Sequence, residues 1–424
     1  MEVKIVLAGR QWLKGQNNDT TNLKLKKVAG IFQNRCQRCN SLVKFTLPNG
    51  KKYCRVCIGL GRICEGDFLY QSLEQIQYPP KENLLSWQGE LTLDQKQVSQ
   101  DLLNSLKQRR NHLVHAVTGA GKTEMLFETI NFALCTGKRV GVATPRIDVV
   151  NELFPRFQAA FESVKIGKYH GKEYFEARDE QLIICTTHQL LKFYQAFDLL
   201  IIDEVDSFPY RNNLMLYYGT KNAIKEKGVI FYLTATPDHS LLIQAKSNKI
   251  GYSILKHRFH GGKLPVPQEK MFVRPFIKNK RIHPKLVKEI RSLLTLKKPV
   301  LVFVPKIVQI PVYEKILKHN FSKLRITGVH AQDEYRQEKI LDFRQGKFDL
   351  LLTTTILERG VTFKSVQVIV VAADDPIYTT PSLVQIAGRV GRNKADKTGN
   401  VIFCYHRYTK EIKEAKRKIL EMNR

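Results

Sequence analysis

Carboxylates are scarce in this 424-residue chain: 39 Asp+Glu stand against 69 Lys+Arg, a formal charge of +30 at pH 7. That shortage excludes an acidic, solvating chain and leaves an excess suited to a polyanionic partner. Residues 1–70 hold 13 Lys+Arg and 4 Asp+Glu, so the excess is spread through the chain and not confined to a tail. Long apolar runs are also missing. The longest are strand-sized, far short of the roughly 20 residues that a membrane helix needs. No secretory apolar stretch follows Met1, and no low-complexity tract occurs, so a soluble, intracellular protein is expected. The length suggests two or three domains, each able to bury a core.

What is present begins with Ala116-Val-Thr-Gly-Ala-Gly-Lys-Thr123. A Gly-rich turn closed by Lys-Thr cradles a triphosphate only between a strand and a helix. Leu113–Val117 reads as a short buried strand, and Glu124–Leu134 has apolar residues at helical spacing, so backbone N–H groups meet the phosphates at a helix N-terminus. The expected ATP-contacting residues are Gly119, Ala120, Gly121, Lys122, Thr123 and Glu124. Lys122 neutralises the β and γ oxygens, and the Thr123 hydroxyl is placed to ligate magnesium.

Phe197–Ile202 is an apolar run ending in Asp203-Glu-Val-Asp206. Acidic tetrads are usually solvated loops, but here the carboxylates emerge from a buried strand at its C-terminal end, where open α/β sheets place ligands. Asp203 is the expected magnesium carboxylate, and Glu204 the residue that orients and deprotonates the attacking water. Two further strand-end signatures, Thr144-Pro-Arg146 and Leu233-Thr-Ala-Thr-Pro237, belong to the same half.

In the second half Pro299–Val304, Phe348–Leu352 and Val366–Val371 read as strands and Asp333–Arg344 as a helix, with no second phosphate loop. Thr353-Thr-Thr-Ile-Leu-Glu-Arg-Gly-Val-Thr-Phe363 and Gln385-Ile-Ala-Gly-Arg-Val-Gly-Arg392 follow two of these strands. Arg389 and Arg392, three apart, suit an ordinary exposed basic stripe. Gly388 and Gly391 beside them point elsewhere, because glycine inside a helix costs roughly 1 kcal/mol relative to alanine. Close approach of a triphosphate completed by arginine fingers is the expectation.

Eight cysteines occur. Cys36-Gln-Arg-Cys39 and Cys54-Arg-Val-Cys57 form two C-x-x-C knuckles separated by 14 residues, close to zinc-ribbon spacing. Disulfides are disfavoured for a chain with no secretory signal, and redox-active pairs are the alternative. Cys64 is either a spare thiol or the fourth ligand in place of Cys57. Cys135, Cys185 and Cys404 lie in apolar segments and read as small buried hydrophobes. Loss of the metal is expected to unfold the N-terminal region with the rest still folded behind it. Residues 1–35 match no interpretable pattern.

The motifs from Ala116 to Arg392, in this order, resemble the superfamily 2 helicases and translocases. The resemblance implies an α/β fold of two tandem RecA-like parallel-sheet domains that clamp ATP between them, with nucleic acid crossing both. It also places Gln95, in Leu91-Thr-Leu-Asp-Gln95, where an upstream glutamine reads adenine, although Gln95 equally suits the surface of a helix over Asp94–Lys107. The expected organisation is a basic, zinc-binding N-terminal region over 1–80, an ATP-binding domain over 81–256, a Gly- and Pro-interrupted connection over 257–284, and a second domain over 285–424.

The four cysteines ahead of this motor, with Asp203-Glu-Val-Asp-Ser-Phe-Pro209 and the Thr353–Phe363 segment, make the chain similar to the ComFA family, late competence ATPases of Gram-positive bacteria. That implies a cytoplasmic motor, peripheral at the inner face of the membrane near the DNA channel, which uses ATP, magnesium and zinc. It engages single-stranded DNA and works with a ComFC-like protein. The runner-up is a duplex-unwinding DNA or RNA helicase of PriA type, although PriA chains are far longer and carry their zinc cysteines between the motor domains. A binding module with a vestigial ATPase is the third class, and Lys122, Asp203, Glu204 and Arg392 count against it.

Overall fold

The structure is a computed structural model that describes residues 7–13, 24–171, 179–392 and 396–423. Among the described residues two large sheets are accompanied by four small ones of two or three strands, and the chain divides into two compact units. The first comprises 1–115 and 122–254, the second 116–121 and 255–424.

In the first unit seven strands form one sheet: β1 (His112–Ala116), β2 (Val140–Thr144), β3 (Ile166–Tyr169), β4 (Leu182–Thr186), β5 (Phe197–Asp203), β6 (Ile224–Thr234) and β7 (Gly251–Leu255). Their order is β3-β4-β2-β5-β6-β1-β7, and the pairings from β3 through to β1 are all parallel. Parallel strands covered on both faces read as continuous apolar runs. Leu199, Leu200, Ile201 and Ile202 of β5 are fully buried, as that rule requires.

The second unit carries a six-stranded sheet of β8 (Gln268–Met271), β9 (Val300–Phe303), β10 (Ile326–Val329), β11 (Leu350–Thr353), β12 (Gln367–Val370) and β13 (Val401–Tyr405), in the order β8-β13-β12-β9-β11-β10. All five pairings are parallel. The fold is thus the two parallel-sheet, RecA-like arrangement expected from the motifs. Strand β8 lies inside the stretch read as a connection. Its residues Gln-Glu-Lys-Met are half-exposed or exposed at a sheet edge, so no apolar pattern marks it.

The N-terminal region falls in the same compact unit as the first sheet. Gln11–Leu13, Phe68–Ser72 and Leu25–Ala29 make a three-stranded antiparallel sheet. A hairpin pairs Ile31–Phe32 with Arg35–Cys36, and a second small sheet joins Phe45–Thr46, Lys52–Cys54 and Ile63–Cys64. Within the otherwise unreadable first 35 residues, Arg10 ties this region to the seven-stranded sheet and the turn that follows its strand β4. Its guanidinium lies 3.9 Å from the centroid of Phe193 and 4.8 Å from that of Tyr169, and Arg139 donates to the Ala8 carbonyl at 3.0 Å. No described helix is long and apolar enough to cross a membrane.

Candidate nucleotide site and cysteine cluster

The phosphate-type loop leaves β1 at Ala116 and enters a short 3-10 turn, Glu124–Leu126, before the α-helix Phe127–Cys135. Gly119 and Gly121 have φ of +83° and +73°, values that a side chain rarely permits. The residue types at these two positions are therefore set by backbone geometry. Thr123 is buried. Lys122 Nζ donates to Asp203 Oδ1 at 3.1 Å, and both side chains are largely shielded, at 18% and 14% exposure. Asp203 is the last residue of β5, so the strand's C-terminal end delivers a carboxylate to the loop's lysine.

Glu204 adopts φ +57°, a left-handed conformation uncommon for a non-glycine residue. Its N–H donates to Asp203 Oδ1 at 2.9 Å. Strain of this kind costs on the order of 1–3 kcal/mol and persists where surrounding structure imposes it, often at functional sites. Asp206 is buried and accepts from Thr236 Oγ1 at 2.5 Å, while the Thr236 N–H donates to Thr234 Oγ1 at 2.9 Å. The Thr-Ala-Thr segment after β6 is therefore wired to the acidic tetrad after β5, a pairing that strand-end motifs alone do not reveal.

The residue set fits a magnesium–triphosphate by its own chemistry: within the first unit a shielded lysine pairs with a carboxylate at the C-terminal end of β5, and the residue after that lysine is a buried threonine with a hydroxyl to offer. Gln95 is placed otherwise than a surface helix residue. It is 4% exposed and sits at the third position of the helix Leu93–Lys107, where its Oε1 accepts from Thr92 N at 2.9 Å and its N–H donates to Thr92 Oγ1 at 3.3 Å. This is a reciprocal capping box.

In the second unit the helix read through Gln385–Arg392 ends at Ala387. Gly388 is its C-cap, and Gly391 turns the chain with φ +68°. The glycines thus terminate a helix and do not lie inside one. Arg389 is 1% exposed and donates to the carbonyls of Glu358, at 3.0 Å, and Val361. It is committed to the Thr353–Phe363 segment and does not share an exposed stripe with Arg392. Arg392 is only half-buried, with Nε donating to Gly388 O at 2.9 Å.

Arg258 went unnoticed in the sequence because no motif contains it. It is 2% exposed and donates to the carbonyls of Val390, Gly391 and Gly388 at 2.7, 2.8 and 3.0 Å. It thereby replaces the helix's missing capping partners. Burial, with Arg392 nearby, pushes its pKa down to about 9. The same unit contains the turn Ala116–Gly121, in which Thr118 Oγ1 donates to Gln385 Oε1 at 3.1 Å.

The sulfurs of Cys36, Cys39, Cys54 and Cys57 all lie within 4.8 Å of one another and are buried. Cys36–Cys57 and Cys39–Cys54 are 3.7 and 3.6 Å apart. These are not disulfide distances. A tetrahedral zinc with Zn–S near 2.3 Å requires sulfur–sulfur edges of about 3.8 Å, so the donor set fits that ion. Cys64 is half-exposed and outside the set; Cys185 and Cys404 are buried, whereas Cys135 is only half-buried. Arg38, inside the first C-x-x-C knuckle, is 1% exposed and donates to the Leu60 and Gly61 carbonyls at 2.8 and 3.0 Å.

Residues 88–239 match the family model described as "Type III restriction enzyme, res subunit", and residues 284–394 the model "Helicase conserved C-terminal domain". Competence protein ComFA of Streptococcus pneumoniae (strain ATCC BAA-255 / R6) is 39% identical over 435 residues, covering 100% of this chain and 99% of the relative. The chain belongs to the ComFA family. ComFA of Bacillus subtilis (strain 168) is 38% identical over 400 residues, covering 92% of this chain and 85% of its own. The fold is shared with Saccharomyces cerevisiae Dbp5 bound to RNA and ADP BeF3, at TM-score 0.59 and 18% identity over 78% of this chain and 88% of that one. Mycobacterium smegmatis Lhr bound to ssDNA and AMP-PNP aligns at TM-score 0.59 and 16% identity, over 79% and 50% of the two chains. Family and helicase domains make this a competence-associated, helicase-like, nucleic-acid-dependent ATPase.

Proposed function

We propose that the chain is an ATP-driven translocase on single-stranded DNA that assists entry of transforming DNA during competence. The observation that carries the ATPase chemistry is the Lys122–Asp203 pair, 3.1 Å apart at the C-terminal end of β5. In this reading Gly119, Ala120, Gly121 and Glu124 offer backbone N–H groups to the phosphates, and Lys122 neutralises the β and γ oxygens. Thr123 and Asp203 would hold magnesium, which would supply positive charge to the phosphate oxygens. Glu204 takes the proton of the attacking water, Arg392 adds positive charge as hydrolysis proceeds, and Arg389 braces the Thr353–Phe363 segment. Gln95 approaches the adenine while its Oε1 holds the cap. Cys36, Cys39, Cys54 and Cys57 hold zinc.

The net charge of +30 supports a polyanionic track, and the single-stranded DNA named for Lhr supports a single strand. A ComFC-like partner and a position at the inner face of the membrane are supported by family membership. So is assignment of the 1–80, 81–256, 257–284 and 285–424 divisions to metal binding, ATP binding, connection and second motor half.

ATP turnover with single-stranded DNA, duplex DNA and RNA of equal length tests the substrate. Single-stranded DNA is expected to stimulate most, and binding to weaken with salt at a slope of about −3 to −4, from roughly five phosphates neutralised at −0.7 each. Equal stimulation by duplex or RNA replaces this reading with the duplex-unwinding helicase. For the chemistry, Glu204→Gln is expected to bind ATP and lose roughly 10²- to 10⁴-fold in turnover, since the amide accepts no proton. Lys122→Ala is instead expected to weaken nucleotide binding. Parental turnover in Glu204→Gln would remove Glu204 as the base.

A further inference from the structure

Across the small sheet of the cysteine region, Cys54 pairs with Ile63, and both are buried, at 2% and 0% exposure. Paired residues project to one face of a sheet and their neighbours to the other. Phe45 pairs with Tyr53 and Tyr53 with Cys64, so these three form the opposite, outer row. Phe45 is 42% exposed, while Tyr53 and Cys64 are half-buried. The Phe45 and Tyr53 ring centroids lie 6.1 Å apart. The guanidinium of Arg55, two residues beyond Tyr53, stands 5.0 Å from the Phe45 centroid. Single exposed hydrophobes need no explanation. Two adjacent rings with a guanidinium over one of them are a different surface, because all three groups are flat and present π or cation–π faces.

The surroundings select the occupant. From Gly30 to Cys64 the sequence has seven Lys+Arg and no Asp or Glu, and Arg38 is the one of these cations whose side chain is buried. Bases stack on aromatic rings while cations track the phosphates, and that combination is the recognition chemistry of single-stranded nucleic acid. A double helix keeps its base faces inside and offers nothing to Phe45.

We infer that the Phe45–Tyr53–Arg55 face is a base-stacking platform for single-stranded nucleic acid, separate from the motor's ATP site. The inference rests on the reading of the chain as a single-strand motor and gives it a second point of grip. The platform binds with little sequence preference, since every base has a π face.

The test uses the full-length protein and a labelled oligo-dT strand in anisotropy titrations at several salt concentrations. Phe45→Ala is expected to weaken binding about 5- to 150-fold with an unchanged salt slope, because no charge is removed. Phe45→Trp is expected to restore it. Arg55→Ala is expected to weaken binding and flatten the slope by up to about 0.7. Alkylation of Cys64, read by peptide mass spectrometry, is expected to slow when oligo-dT is bound, and thermal unfolding of Phe45→Ala to match the parent. Parental affinity in Phe45→Ala, or Cys64 labelling unaffected by saturating oligo-dT, overturns the platform. Either result alongside Phe45→Ala failing to bind a purified acidic protein partner assigns the face to that partner instead. If the parent protein itself does not bind oligo-dT, the motor reading fails first, so the two failures are distinguishable.

Discussion

Arg392→Ala is expected to lower nucleic-acid-stimulated ATP turnover by on the order of 10³- to 10⁵-fold, the range for loss of an arginine finger in phosphoryl transfer. ATP binding is expected to survive, since the loop, Lys122 and Asp203 are untouched. Arg392→Lys is not expected to rescue, because a point charge does not reproduce the planar guanidinium fork. The contrast with Arg389 makes the experiment decisive. Arg389 is buried and donates to the Glu358 and Val361 carbonyls. Its removal leaves buried acceptors unpaired at roughly 1–3 kcal/mol each, which lowers the melting temperature by about 2–4 °C per kcal/mol in a unit of this size. Arg392→Ala is expected to melt like the parent. If single-turnover kinetics put Arg392→Ala within tenfold of the parent, Arg392 is not the group that stabilises the transition state.

The different fates of these two arginines show what was legible in the sequence. The motor's strands were readable because parallel strands buried on both faces become unbroken apolar runs, as in Leu199–Ile202 and Val300–Phe303. The Lys122–Asp203 meeting was readable because both residues terminate or follow such strands. Arg389 was not, because nothing in a one-dimensional spacing says that a helix stops at Ala387 and turns its next arginine inward. Arg258 was invisible for the same reason: its partners are carbonyls 130 and more residues away. The edge strand β8 is polar and half-solvated, so it lacks the periodic signal of a buried strand. The four cysteines are the opposite case, since metal-ligand spacing survives in sequence whatever the surrounding fold.

How far the effect of a zinc held by the four cysteines would reach depends on packing. Cys36, Cys39, Cys54 and Cys57 belong to one continuous buried cluster with Leu13, Phe193, Phe197, Ile202 and Tyr210 of the first unit, and the Tyr218 hydroxyl donates to the Gln37 carbonyl at 3.4 Å. Structural zinc contributes apparent free energies of about 10–16 kcal/mol in small modules, comparable to the whole stability of a domain. Chelation or Cys54→Ser is therefore expected to release about one zinc per chain and to lower the melting temperature of the first motor unit as well. A bead hung in front of an indifferent motor would leave that second transition in place. Because the ligands bind as thiolates, release is expected to advance as pH falls. Elemental analysis of chelator-free protein, paired with calorimetry, reads both effects. Cys64→Ser is expected to keep its zinc and Cys57→Ser to lose it, and the reverse outcome exchanges the fourth ligand. A zinc-free preparation with the parental melting profile would sink the metal assignment, while a zinc-dependent melt confined to the first 80 residues would separate the module energetically from the sheet it packs against.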